Sequence, residues 1–540
     1  MHTTYSLASL PWGILGVGAV ILAILAYVVY QVYFHPLAKY PGPWLGKFTE
    51  AGAAYHAVKG DLHLHIWWCH QKYGPVIRYT PNLVIFNTAS GMKDIYVRGK
   101  DLRKDVHYGV IQLGTKNLLT VTSPKEHARR NKIISPGFSS TAMREFEPRL
   151  LVHVRKFCDS LYRPRPGSKS NSSWGEPMVM SDWCSYFAFD VITELVFGKA
   201  CNLLESQQHR CTVYDISGMM KRLSLLMYAP YVFLGRLDRK LFPGEMRGMK
   251  RYHRLVNSMM ADAASMSGHV FSRLTNARDD KITAGIGAPA FSDADIYSES
   301  AMLAVAGSDS TSVSLCANLF YLATYPHAYN RLAHEIRTTF PTLESIRTGP
   351  LLLQECPYLH ACIKETLRIS PAVAGCPYRR IEKGDTIVVD GHVIPEGCSV
   401  GTGIYSIHHN ADYFSRPDTF LPERWLASDG DENPEQASVT AAAYTPFSQG
   451  TRACVGRHLA QMELQLALTS LIWQYDFRRA EGAAGELGAG SRDGGELGRS
   501  NPHEFQLYDH IISQKRGPVL QFRPRKQHQQ EVVSYFGFGL

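Results

Sequence analysis

The chain has 540 residues, of which 45% are hydrophobic and 11% aromatic, so it can bury a large core with room for a cofactor, and disorder is excluded for most of it. The eleven cysteines are scattered without a C-x-x-C pair, which argues against a disulfide framework or a zinc site and favours a reducing environment. The formal net charge of +9 is spread along the chain, which suits an anionic membrane surface or an acidic partner better than sequence-specific nucleic-acid binding.

An uncharged apolar segment lies near the N-terminus, from Trp12 to Phe34. It is long enough to cross a bilayer, which needs about 20 helical residues, and it lacks the basic start of a cleaved signal peptide. Lys39 and Lys47 follow it, so the positive-inside rule keeps the rest of the chain on the cytoplasmic side. We predict a membrane anchor over 1–34 without core contacts, then a proline-rich hinge over 35–48. A buried core helix is the alternative.

The next patterns predict a mostly helical unit with small sheets. Val76–Tyr79 and Leu83–Phe86 flank a turn and indicate a β-hairpin. Ser292, with acidic Asp295 three residues on, predicts the start of a helix that runs to Tyr325 and spans roughly 50 Å.

Loops and tails complete the organisation. Residues 163–177 and the stretch around 285–289 are rich in Pro, Gly and Ser and predict loops. The Gly-rich residues 481–500 predict a mobile surface loop. We expect one catalytic domain over 49–525 and a C-terminal tail over 526–540.

The segment from Phe447 to Gly456 sets one cysteine among residues that suit a buried thiolate ligand. Such a ligand needs deprotonation, exclusion of water and backbone N–H groups aimed at sulfur. Gly450 and Gly456 allow close approach of the backbone to a large flat ligand, and Arg452 can fork onto a carboxylate. The apolar helical pattern that follows Cys454 places its sulfur near a helix N-terminus. The alternative is a buried free thiol.

The order F-x-x-G-x-R-x-C-x-G closely resembles the haem-binding signature of the cytochrome P450 family. The resemblance implies that Cys454 is the axial ligand of the iron of haem b (iron protoporphyrin IX), with Phe447, Gly450, Arg452 and Gly456 around the cofactor. It also implies the cytochrome P450 fold, mainly α with smaller β-sheets (α+β), here preceded by a single transmembrane helix.

A small and polar interruption lies inside the long predicted helix, at Ala306-Gly307-Ser308-Asp309-Ser310-Thr311. It is similar to the A-G-x-D-T-T oxygen-activation motif of the family, with Ser310 where threonine is usual. The resemblance implies that Asp309, Ser310 and Thr311 are catalytic and relay protons for oxygen activation. The alternative is that their side chains bond to helix carbonyls.

Two further patterns resemble the family. The order E-x-x-R then P-E-R-W matches its structural triad, which assigns Glu365, Arg368 and Arg424 a fold-holding role. Where the family often has W-x-x-x-R, this chain has His127 and Asn131. The resemblance therefore implies that His127 lies beside the haem propionates.

Because Asn131 cannot pair as a cation, a substitute from Arg130 or Lys132 stays open, although helical geometry points both elsewhere. The His408-His409 pair is assigned to a loop rather than to a metal site, since no third ligand stands at a supporting spacing. Residues 371–375 resemble the substrate-facing strand entry of the family, and we expect 105–115 to contribute to the pocket.

The resemblance covers nearly the whole chain and is strongest to fungal microsomal members, including the benzoate 4-monooxygenase-like group and secondary-metabolite oxygenases. It implies a haem-thiolate monooxygenase that hydroxylates or epoxidises an apolar small molecule. The enzyme would be single-pass in the endoplasmic reticulum membrane, with a cytoplasmic catalytic domain.

No flavin or nicotinamide motif is visible, so electrons come from NADPH through a separate NADPH–cytochrome P450 reductase. The partners are thus that reductase, the substrate and the lipid bilayer, with no nucleic acid. Two alternatives stay open: a haem-thiolate isomerase or dehydratase, which Asp309 and Ser310 disfavour, and a non-catalytic membrane-tethered haem-binding protein.

Overall fold

The computed structural model describes residues 12–97, 102–164, 174–276, 291–426, 434–491 and 497–525. The helices there are α1 (Trp12–Val29), α2 (Ala51–Lys59), α3 (Leu62–Tyr73), α4 (Ala89–Tyr96), α5 (Pro124–Ile134), α6 (Ser140–Leu161), α7 (Met180–Phe197), α8 (Cys211–Tyr228), α9 (Leu237–Leu241), α10 (Pro243–Ala263), α11 (Val270–Asn276), α12 (Asp293–Thr324), α13 (Pro326–Thr339), α14 (Pro350–Gln354), α15 (Pro357–Ile369), α16 (Ile404–His408), α17 (Pro434–Ala443) and α18 (Arg457–Gln474). The strands are β1 (Val76–Thr80), β2 (Leu83–Phe86), β3 (Arg103–Lys104), β4 (Met178–Val179), β5 (Arg379–Arg380), β6 (Ile387–Val389), β7 (His392–Ile394), β8 (Ser399–Gly401), β9 (Tyr475–Arg479), β10 (Leu507–His510), β11 (Ile512–Lys515) and β12 (Val519–Pro524). The mainly α architecture with small sheets is confirmed.

The strands form four small sheets. The largest has the order β1-β2-β8-β5-β3, in which β1 and β2 are the antiparallel hairpin that the sequence predicts and β2 and β8 run parallel. The others are β4-β12-β9, β6-β7 and β10-β11. Asp390 and Gly391, both at positive φ (50° and 78°), turn the chain between β6 and β7 as an Asp-Gly hairpin requires.

Helix α12 crosses the centre of the domain. Ser292 caps it, with its hydroxyl accepting from the Asp295 N–H and the Asp295 carboxylate accepting from the Ser292 N–H, so the predicted capping box is confirmed. The helix ends at Thr324, and its 32 residues span about 48 Å. Gly307 lets α12 approach α7 closely, because a Cβ there would lie 2.6 Å from the Ile192 side chain.

The N-terminal helix stands out from the domain. Residues Ile14–Phe34 have a mean hydropathy of 2.2 and are long and apolar enough to cross a membrane, which agrees with the predicted anchor. Its end nevertheless touches the domain. The buried Arg78 guanidinium donates to the backbone oxygen of Gln31 at 2.9 Å and to its side-chain oxygen, and the Tyr27 hydroxyl donates to the Phe48 carbonyl at 2.8 Å. The expectation of an anchor without such contacts is therefore wrong.

The Gly-rich stretch 481–500 lies partly at the surface, as expected, but its described residues are tied to the domain. Buried Arg499 donates to the carbonyl oxygens of Gly60 and Leu507 at 3.2 and 3.1 Å. A Cβ on Gly490 would lie 2.3 Å from the Asn501 carbonyl, so glycine serves close backbone packing there rather than mobility. The loop predicted at 285–289, most of that at 163–177, and the tail 526–540 lie outside the described residues.

Candidate active site

Cys454 lies in a tight loop immediately before α18. Its N–H donates to the carbonyl oxygen of Phe447 at 2.9 Å, which closes the loop. Gly450 has a φ of +72°, and a Cβ there would lie 1.8 Å from the Tyr96 carbonyl oxygen, so the loop requires glycine. Gly456 is the N-cap of α18, which places the thiol near the positive end of that helix.

The Cys454 side chain opens into an internal cavity. It is accessible to solvent and lines that cavity. Burial raises the pKa of the thiol, and the backbone amide of Gly456 and the charge of Arg457 act against that rise. A metal cation beside the sulfur would favour the thiolate further, since coordination deprotonates a thiol.

The cavity has a volume of about 370 Å³ and mostly apolar walls. Its lining comes from α8, α12, α18, the Cys454 loop and the β10–β11 hairpin. Apolar walls include the side chains of Met227, Leu303, Val373, Leu459 and Ile512. A pocket of this kind excludes water and holds a ligand chiefly by apolar contact.

Three basic side chains converge at one part of the cavity: Lys104, Arg379 and Arg452. The Arg452 guanidinium forks onto the carbonyl oxygens of Val121 and Thr122 at 2.8 and 2.9 Å. Burial, then Arg379 and Arg452, hold the pKa of Lys104 well below its usual range. Within the described parts of the chain, no carboxylate forms an ion pair with Lys104 or Arg379.

His127 faces the same group. Burial, followed by the charges of Arg452, Lys104 and Arg379, lowers the pKa of His127 to about 3. The Arg379 and Arg452 guanidiniums beside this buried site fit a ligand that brings its own carboxylates, as the two propionates of haem do. An accessible thiol, apolar walls and this cationic edge together fit haem.

Arg130 does not belong to that edge. It donates to Glu126, Asp295 and Glu299 at 2.7, 2.9 and 2.7 Å, so its charge is neutralised by three carboxylates. Lys132 is exposed. Neither residue therefore replaces the arginine of the family's W-x-x-x-R pattern, as helical geometry predicted.

Ser310 and Thr311 of α12 line the cavity, whereas Asp309 is buried beside it. The Asp309 carboxylate accepts from Gln514 Nε2 at 3.3 Å, and burial raises the pKa of Asp309 despite the opposing Lys515 charge and this hydrogen bond. The Ser310 hydroxyl donates to the Ala306 carbonyl at 2.7 Å, which is the local bond of the alternative interpretation.

Comparison with known proteins decides the family. The family model described as Cytochrome P450 matches residues 36–486. The chain belongs to the cytochrome P450 family. The cytochrome P450 monooxygenase AKT7 of Alternaria alternata is 40% identical over 506 residues, which cover 93% of this chain and 95% of that relative.

Two further relatives agree. The cytochrome P450 monooxygenase poxM of Penicillium oxalicum is 38% identical over 502 residues, 93% of each chain. The trichothecene C-15 hydroxylase of Fusarium sporotrichioides is 31% identical over 484 residues, 87% of this chain and 92% of the relative. The expected haem-thiolate monooxygenase is thereby confirmed, with haem iron as cofactor and a redox partner as electron source.

In this cytochrome P450 the predicted structural residues meet at one buried carboxylate. Glu365 accepts from Arg368, from Arg424 Nε at 3.1 Å and from Trp425 Nε1 at 2.8 Å. Burial acts to raise the pKa of Glu365, but the guanidinium charges, Arg368 first, hold it below its usual value. The carboxylate is therefore ionised and ties α15 to the segment that precedes the Cys454 loop.

His408 and His409 are buried in and just after the short helix α16, not in a loop. His408 Nε2 accepts from the Thr445 N–H at 3.0 Å, so this histidine supports the start of the cysteine loop. Of 105–115, Tyr108 lines the cavity, and of 371–375, Ala372, Val373 and Gly375 do so.

Sequence reasoning missed Lys104 and Arg379, which pair in register between β3 and β5. A signal was available. Lys104 follows Arg103, and Arg379 precedes Arg380. Because successive side chains of a strand point to opposite faces, one member of each pair points inward. Asp509 and Tyr228 were also missed, because an isolated acid or tyrosine in a strand or helix carries no motif.

Proposed function

We propose that this cytochrome P450 monooxygenase hydroxylates or epoxidises an apolar small molecule of fungal secondary metabolism. The observation that carries the proposal is the Cys454 thiol, which opens into an apolar cavity with a cationic edge. The hydroxylase name of the Fusarium relative supports oxygen insertion rather than rearrangement.

Haem b would lie with its iron at Cys454 and its propionates at Arg452, Arg379, Lys104 and His127. When bound, it supplies the activation of dioxygen and the transfer of one oxygen atom to the substrate. Gly450 lets the cysteine loop pack against the Tyr96 carbonyl, and Gly456 leaves the position 3.9 Å from the Cys454 Sγ without a side chain.

The chain's own contribution to oxygen activation is proton delivery from α12. Ser310 and Thr311 line the cavity, and the Asp309 carboxyl lies buried beside them. Its raised pKa makes Asp309 a better proton donor near neutral pH than an exposed aspartic acid. Gln514 holds the carboxyl in one position through its amide N–H.

Electrons would come from NADPH through a separate NADPH–cytochrome P450 reductase. Residues 1–34 would anchor the enzyme in the endoplasmic reticulum membrane, with the catalytic domain on the cytoplasmic side. Support comes from the apolar Ile14–Phe34 helix and from the lysines that follow it, Lys39 and Lys47.

The test is expression of the full chain with a reductase and incubation with a panel of lipophilic substrates under ¹⁸O₂. Monooxygenation predicts NADPH consumption and one labelled oxygen atom in the product. Product without NADPH use would indicate an isomerase or dehydratase. Haem binding without turnover on any substrate would indicate a non-catalytic haem protein.

A further inference from the structure

Asp509 is a buried acid that lines the substrate cavity, and one of its carboxylate oxygens, Oδ2, has no hydrogen-bond partner among the described residues. Its side chain is 3% exposed and lines the cavity. Among the described residues, no hydrogen-bond donor reaches its Oδ2 oxygen, and no basic side chain forms an ion pair with it. Natural proteins rarely leave a buried carboxylate oxygen unsatisfied, because its desolvation is costly.

The backbone around Asp509 is rigidly held. Its N–H donates to the Gly60 carbonyl at 2.8 Å, and on the partner strand the Ser513 N–H donates to Ala372 at 2.8 Å. Strands β10 and β11 pair from Leu507↔Lys515 to His510↔Ile512, so the single residue Ile511 makes the turn, at a φ of +76°. Positive φ is rare for a β-branched residue, so this conformation is imposed by the hairpin and its docking.

Gly375 packs against the carboxylate. A Cβ there would lie 3.0 Å from Asp509 Oδ2, so a larger residue at this position would press on that oxygen. Tyr228 and Tyr378, which hydrogen-bond to each other through their hydroxyls, also line the cavity. The negative charge of Asp509 contributes to the raised pKa of Tyr228, after burial, so the two groups are electrostatic neighbours.

The carboxylate is available in its charged form. Burial raises the pKa of Asp509 to about 6, and the backbone amide of Ile511 acts against the rise. The group is therefore mostly ionised at neutral pH and can accept hydrogen bonds but not donate them. A second buried acid, Glu504, differs in that it accepts from the Tyr405 hydroxyl at 2.6 Å and does not line the cavity.

We propose that Asp509 is a substrate-recognition residue, which selects substrates that carry a hydroxyl or amino donor on the part of the molecule that meets the β10–β11 hairpin. The inference rests on the proposed haem site, since the same cavity holds Cys454. The substrate is then apolar over most of its surface and has one polar end. Such a donor satisfies Oδ2, while a purely hydrocarbon ligand leaves it buried and unpaired.

The test uses the haem-loaded full chain and imidazoles that carry a linear substituent ending in a methyl, hydroxyl or amino group, with the chain length varied. Binding is followed by the Soret shift that accompanies nitrogen coordination, so no turnover is needed. The measured quantity is the ratio of affinities of the hydroxyl or amino probe and the methyl probe. At one chain length, this ratio should be roughly tenfold or more higher in the wild type than in Asp509→Leu.

Asp509→Asn keeps the shape of the side chain and can still accept a hydrogen bond from a hydroxyl. It should therefore keep the higher affinity for the hydroxyl probe and lose any higher affinity for the charged amino probe. A gain with the amine alone identifies a cationic substrate end. Glu504→Gln is the matched control and should leave all ratios unchanged.

Equal ratios in the wild type and Asp509→Leu at every chain length would overturn the recognition role alone. A purified full chain that takes up no haem, and therefore shows no Soret band, would overturn the haem site, and this inference with it.

Discussion

The Arg368 guanidinium donates to both oxygens of the Glu365 carboxylate, at 2.8 and 3.0 Å, with both side chains fully buried. The third arm of Arg368 donates to the His408 carbonyl at 2.8 Å, and His408 in turn accepts from the Thr445 N–H at 3.0 Å. Thr445 stands two residues before Phe447, where the cysteine loop begins. The ion pair is thus linked by hydrogen bonds to the segment that positions Cys454.

Glu365→Gln should destabilise the fold and reduce haem loading. It leaves two buried guanidiniums without their carboxylate, and removal of one partner from a buried ion pair costs about 3–5 kcal/mol. The urea midpoint and the haem absorbance per chain measure the effect. Glu344→Gln, at an exposed acid, is the control and should change stability by less than about 0.5 kcal/mol. Normal haem content and an unchanged midpoint in Glu365→Gln would contradict the assignment.

Cys454→Ala should abolish the thiolate-type Soret position of the reduced, carbon-monoxide-bound protein. The reason is that Cys454 lies in the loop that the glycines and the α18 N-terminus prepare for a ligand. Cys376 also lines the cavity, so Cys376→Ala is the matched control and should keep that spectrum. A thiolate-type spectrum that survives in Cys454→Ala would make the assignment wrong.

Asp309→Asn should lower product formation per NADPH oxidised much more than it weakens substrate binding. It keeps the shape and removes the proton donor, and a positioned acid or base contributes roughly 10²–10⁴-fold in rate. Ser310→Thr restores the residue usual in the family and should leave coupling equal or better. Product, hydrogen peroxide and NADPH are measured together, and the spin-state shift reports substrate affinity. If the product formed per NADPH oxidised is unchanged in Asp309→Asn, Asp309 has only a structural role in α12.

Truncation should depend on where the anchor is cut. Deletion of 1–34 removes Gln31 and leaves the fully buried Arg78 without two of its hydrogen bonds, whereas deletion of 1–29 retains them. We expect both forms to load haem, and the shorter deletion to be more stable by about 1–3 kcal/mol. Urea midpoints of the two soluble forms test this, and equal midpoints would show that the contact contributes nothing.

Glu463→Gln should stabilise the protein at alkaline pH. Burial raises the pKa of Glu463 to about 8, which the Thr311 hydroxyl opposes. The carboxyl keeps its proton to a higher pH in the native state than in the unfolded state. Its contribution to the free energy of unfolding therefore falls as pH rises from about 4.5 to about 8. Between pH 6 and 9 the wild type should lose about 3 kcal/mol of unfolding free energy relative to Glu463→Gln, and parallel stability curves would disprove this.

Local patterns were sufficient for the elements and for the reactive cysteine. The hairpin of β1 and β2, the capping box at Ser292 and the charge-free run from Trp12 depend on neighbours within a few residues, so the sequence alone predicts them. The signature around Cys454 likewise carries its chemistry in consecutive positions, because a loop that holds a thiolate needs its glycines and arginine close in sequence.

What the tertiary structure decided depends on residues far apart in the chain. Lys104 and Arg379 meet by strand pairing, Arg78 reaches Gln31, and Asp509 faces the cavity because its hairpin docks on Gly60. Two of the three carboxylates that pair with Arg130 come from α12, over 160 residues away, and they hold it away from the cofactor edge. Burial and electrostatic pairing are properties of packed surfaces, and no local pattern encodes which distant surface a side chain will meet.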